Sequence, residues 1–68
     1  MWDVELPYHV VMEFGAKLHG MASEVVFLPG ERVYLRKDGP DIVHFGNAKG
    51  ECECPKDTFR LATMKVRA

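Results

Sequence analysis

The stretch Leu28-Pro29-Gly30-Glu31-Arg32-Val33-Tyr34-Leu35-Arg36-Lys37-Asp38-Gly39-Pro40 leaves this chain few folds to choose from. It reads as a turn, a short strand and a second turn. Val33 and Leu35 alternate with Arg32, Tyr34 and Arg36, so one face is apolar and the other cationic and aromatic. Gly30 and Gly39 offer permissive backbone at either end, and Pro29 and Pro40 mark where a ladder must stop.

The N-terminus carries the longest periodic signal. Trp2, Val4, Leu6, Tyr8, Val10, Met12 and Phe14 are apolar at every second position, which predicts a half-buried strand that Pro7 splits or places at an edge. A helix from Pro7 to Gly20 is the competing reading. Leu6 is a poor N-cap for it, and Gly15 interrupts its apolar face. Gly15 to Ser23 has no clean period and reads as a loop, with room for one helical turn around Ala16 to His19.

Further along, Glu24 to Leu28, Ile42 to Phe45 and Glu51 to Cys54 read as strands, the last with its cysteines facing a core. Thr58 to Leu61 is a 3₁₀ turn or a strand, and Ala62, Met64 and Val66 alternate to the end. Five to six short strands at roughly eight- to twelve-residue spacing predict a mostly β fold, a small barrel or rolled antiparallel sheet with at most one short helical turn. The 68 residues form a single domain, 1–68, near the lower size limit for folding unaided, so self-association or a partner is expected to help.

No apolar run approaches a membrane span and no basic segment precedes an apolar one. Cys52 and Cys54, one residue apart, are badly placed to bond to each other, which fits a reducing cytoplasm. Charge is uneven. Residues 1–31 hold one basic and five acidic side chains, a balance of −4, and residues 32–68 hold eight and five, a balance of +3.

From Pro29 onward the chain resembles the small bacterial YodC-like proteins, whose fold is an SH3-like barrel. The residues that carry the likeness are Gly30-Glu31-Arg32-Val33-Tyr34-Leu35, Lys37-Asp38-Gly39-Pro40, Ile42-Val43, Gly50-Glu51-Cys52 and Phe59-Arg60-Leu61. It spans residues 29–64. Glu53-Cys54 stands where that family has an aromatic, and the 28 residues before it have no counterpart in the short members. The resemblance implies an SH3-like barrel and no catalytic activity.

Three classes of function follow as expectations. A non-enzymatic module that binds another protein comes first, through a face of Arg32, Tyr34, Arg36, Lys37 and Arg60. An N-terminal edge of Trp2, Val4 and Val10 is available for pairing with a second copy. A single-stranded nucleic-acid or transcription-associated regulator comes second, because an aromatic between two cations suits a stacked base and its phosphates. A pI near 6.3 weighs against it. An enzyme with an intersubunit site is third, since so small a chain has little depth for a pocket. No cofactor is expected. Cys52 and Cys54 with His44, or with His9 or His19, are the weak candidates for a metal, but a one-residue gap on a strand is strained for chelation, the histidines have no paired spacing, and buried thiols are favoured.

Overall fold

The strand Arg32–Asp38 (β4) lies near the middle of a seven-stranded antiparallel sheet. The computed structural model describes residues 6–66. In chain order the other elements are β1 Leu6–Val10, β2 Phe14–Leu18, β3 Glu24–Phe27, β5 Ile42–Asn47, β6 Gly50–Pro55, helix α1 Lys56–Ala62 and β7 Thr63–Lys65. The strands run in the order β3-β2-β6-β5-β4-β1-β7 and curl into a half-barrel. The fold is mostly β, with one strand more than the upper sequence expectation.

Alternation sets the two faces. Val33, Leu35, Val43, Phe45, Cys52 and Cys54 all point inward from the three central strands and are almost wholly buried. Phe14, Phe27, Phe45 and Phe59 meet there, with ring centroids 5.0 Å (Phe45–Phe59), 5.3 Å (Phe27–Phe45), 5.4 Å (Phe14–Phe27) and 5.7 Å (Phe14–Phe45) apart. The core is therefore one aromatic cluster inside the curl, with Phe45 touching the other three rings.

The N-terminal run is two strands, not one. Val11 and Met12 both donate their backbone N–H to the Ala62 carbonyl, at 2.8 and 3.2 Å, and this draws the chain off the sheet between β1 and β2. Val10 and Phe14 both face the core, so the period of two survives the break and hides it in the sequence. Gly15 to Leu18, expected as a loop, completes β2. Ala16 is inward and Lys17 outward, and pairing with β3 and β6 enforces a strand that local propensity does not announce.

Pro7 sits in β1, which is flanked on both sides by β4 and β7 and is not an edge. Its carbonyl accepts from Val66 N–H at 3.0 Å, so its missing donor faces β7 where that ladder ends. Val10, expected at an exposed edge, is 2% exposed and belongs to the core. Trp2 and Val4 lie outside the described residues.

Thr58 to Leu61 is neither a 3₁₀ turn nor a strand but part of α1. This seven-residue helix buries Phe59 and Ala62 across the open end of the curl. The Thr63 hydroxyl donates to the Phe59 carbonyl at 2.6 Å and ties the helix end to β7. At the turn before β4, Gly30 has φ +98°, a conformation that disfavours any side chain. Glu31 clasps that turn, accepting from Leu28 N–H and Lys49 Nζ, both at 2.8 Å, and the lysine chiefly holds its carboxyl below the usual range.

Candidate functional site

The outer face of the central strands carries two polar rows. In the first, Glu51 of β6, Gly46 of β5 and Tyr34 of β4 are cross-strand neighbours. Gly46 has no side chain, so the Glu51 carboxylate lies over it and reaches Arg36. A register shift between Leu35 and Lys37 leaves Arg36 opposite no residue of β5 and aims it along this row. Arg36 Nε and Nη2 donate to the two Glu51 oxygens at 3.2 and 3.4 Å, and its guanidinium lies 5.7 Å from the Tyr34 ring centre.

Tyr34 and Arg36 therefore do meet, but the arginine charge is committed to Glu51. Arg32 and Lys37 are exposed on the same strand. Arg60 is elsewhere, on α1. It borders a cleft of about 270 Å³ floored by Tyr8, Leu35, Val43 and Phe59. The five residues expected to share one binding face are divided between the outer sheet surface and the helix.

In the second row Lys17, Glu53, His44 and Lys37 are neighbours on β2, β6, β5 and β4. His19 follows β2 and is anchored by its N–H to the Glu51 carbonyl at 2.9 Å. Glu53 Oε1 is 3.2 Å from His19 Nδ1 and 3.6 Å from His44 Nδ1, and the two imidazole rings stand edge to face at 5.4 Å. The expected grouping of His44 with Cys52 and Cys54 does not form. The cysteines point into the core and His44 points outward to Glu53. The sequence offered His19 as a ligand beside the cysteines, and its pairing with Glu53 escaped because β2 was read as a loop. Without that strand nothing places position 19 beside position 53.

Burial pushes the Cys54 thiol up to about 12, with the neighbouring Cys52 adding to it, and burial followed by Glu51 also raises Cys52. Both stay protonated at neutral pH, which removes them as nucleophiles and as ready soft ligands.

A third feature is apolar. The bonds from Val11 and Met12 to Ala62 bring the β1–β2 connection against the end of α1, and Met64 of β7 pairs with His9 beside it. Val11, Met12, Leu61 and Met64 are 47, 50, 72 and 63% exposed. Arg60 and Lys65 adjoin Leu61 and Met64 in sequence, and neither forms an ion pair among the described residues.

The two sheet edges differ. On β3 the Lys49 ammonium donates to the Val26 carbonyl at 2.9 Å and covers the edge with a charge. On β7 the outer edge has no strand beside it among the described residues. No helix among them is long and apolar enough to cross a membrane. No family model matches the chain, and no curated protein or solved structure matches it.

Proposed function

We propose that this domain is a non-enzymatic binding module that docks on another protein through the corner formed by Val11, Met12, Leu61 and Met64. The partner offers an extended segment that adds to the β7 edge, with apolar side chains on the corner and acidic ones opposite Arg60 and Lys65. One observation carries this reading: four large exposed apolar side chains stand on the β1–β2 connection, the end of α1 and β7, whose outer edge has no strand beside it among the described residues, while the opposite edge is capped by Lys49.

The corner amounts to on the order of 400 Å² of apolar surface, comparable to the largest patch of an ordinary monomer and often functional at that size. Burying it contributes roughly 10 kcal/mol at about 25 cal/mol per Å². That is similar to the roughly 4–15 kcal/mol cost of association, so the contact is reversible, and the strand bonds and two cations decide its strength. Kinship with the YodC-like barrels and a cytoplasmic location belong to the same proposal, supported by the turn–strand–turn order and by two buried free thiols.

Nuclear magnetic resonance with a short synthetic peptide alternating valine with glutamate tests it. The expected result is saturable shift changes at Val11, Leu61, Met64 and Lys65, abolished by Leu61→Glu. Changes confined to the Tyr34 and Arg36 face, or none at all, would refute it.

A further inference from the structure

The row of His19, Glu53 and His44 has no part in that docking surface. We propose that these three residues form a binding site for a divalent transition-metal ion of the zinc class, with water completing the coordination.

Ligand chemistry comes first. Imidazole nitrogen and carboxylate oxygen are ordinary ligands for zinc and its neighbours, and three protein ligands with an open position make a complete site of the exchangeable kind. Geometry is the second support. A tetrahedral ion with bonds of about 2.0–2.1 Å separates its ligand atoms by roughly 3.3–3.4 Å. Glu53 Oε1 stands 3.2 Å from His19 Nδ1 and 3.6 Å from His44 Nδ1, and one ligand atom from each of the three residues lies within 4.8 Å of the other two. Two of the three ligand–ligand edges already have nearly the required length.

The frame beneath the cluster is rigid. His44 and Glu53 are direct partners across β5 and β6, and Leu18, next to His19, is the partner of Cys52. Three neighbouring strands thus fix the ligand backbones by register. The side chains are 53% (His19), 30% (Glu53) and 21% (His44) exposed, which leaves the donors reachable from solvent yet backed by the sheet.

A metal-free trio, with both imidazoles turned toward the Glu53 carboxylate, is the competing account that the titration decides. The buried thiols do not compete, being on the other face of the sheet. Lys17, across from Glu53, lowers the affinity without blocking the site, because it is exposed and free to swing out. Protons compete with the ion for both imidazoles, so binding weakens in acid.

The test uses untagged, chelator-stripped protein titrated with Zn²⁺ by calorimetry, with Co²⁺ absorption and native mass spectrometry beside it. One ion per chain is expected, with affinity falling at least tenfold in His19→Gln and in Glu53→Gln. His19 is exposed, so its variant keeps the fold, and circular dichroism verifies that for both. The cobalt spectrum is expected to show ligand-field bands without thiolate charge transfer. The proposal is overturned by absence of stoichiometric binding, by an affinity unchanged in both variants, by thiolate charge transfer, or by one ion shared between two chains.

Discussion

Phe45 is the residue on which the core turns, and truncating it gives the sharpest test of the fold. It is fully buried and meets Phe14, Phe27 and Phe59 at centroid distances of 5.0–5.7 Å. Phe45→Ala removes the transfer energy of the ring and leaves a cavity, at a cost of about 3–5 kcal/mol. A domain of this length has about 3–10 kcal/mol of total stability, so the variant loses roughly three tenths of it at least and falls short of folding at the lower end. Phe45→Leu keeps most of the volume but forfeits three ring–ring contacts worth about 0.5–1.5 kcal/mol each, so it costs about 2 kcal/mol. Urea denaturation followed by circular dichroism reads the difference. With a slope near ~1 kcal/mol per molar, the leucine variant's midpoint drops by about 2 M. A Phe45→Ala protein within about 1 kcal/mol of the parent would refute the single aromatic core.

Two further outcomes follow from the same structure. Gly46→Ala is expected to cost about 2 kcal/mol, because the new methyl overlaps the Glu51 carboxylate and crowds the Gly50 carbonyl, breaking the Arg36 pair as it does so; an unchanged urea midpoint would contradict that packing. Alkali acts through Cys54, whose folded thiol titrates near about 12 against an ordinary value of 9.0. Below pH 9 both states hold the proton and nothing changes. Above it only the unfolded chain releases the proton, so stability falls by about 1.4 kcal/mol per pH unit, reaching about 2 kcal/mol by about pH 10.5. Chemical denaturation across this range, with Cys54→Ala expected to show the shallower slope, checks the sign and size.

Legibility in the sequence was uneven, for physical reasons. The turn–strand–turn at Leu28–Pro40 became β4 with Val33 and Leu35 inside, and Cys52 and Cys54 took the inward positions their spacing implied. These are period-two patterns bounded by glycine and proline, which local chemistry enforces. β2 was hidden because Gly15, Ala16 and Lys17 have weak strand preference and become a strand only through partners remote in sequence. α1 was hidden because seven residues are too few to show a helical period, and burial of Phe59 stabilises it. At the outer face, alternation placed Tyr34 beside Arg36. It could not reveal that a register shift and the bare Gly46 would hand Arg36 to Glu51. In the histidine–glutamate cluster His44 and Glu53 pair across β5 and β6, but His19 reaches them only through β2, and so the trio emerges only with the sheet.

The proposed function is tested most directly by photo-crosslinking in the source cells, with a photoreactive amino acid at Leu61 and, separately, at Lys17 on the outer face. Leu61 is largely exposed, so the replacement leaves the core untouched. The expected result is a protein crosslinked from position 61 and not from position 17, with an attached segment that alternates apolar residues and carries Asp or Glu. The crosslink is expected to vanish when Met64→Glu is added. A crosslink from position 17 alone, or one from position 61 to nucleic acid, lipid or a second copy of this chain, would contradict docking through this corner.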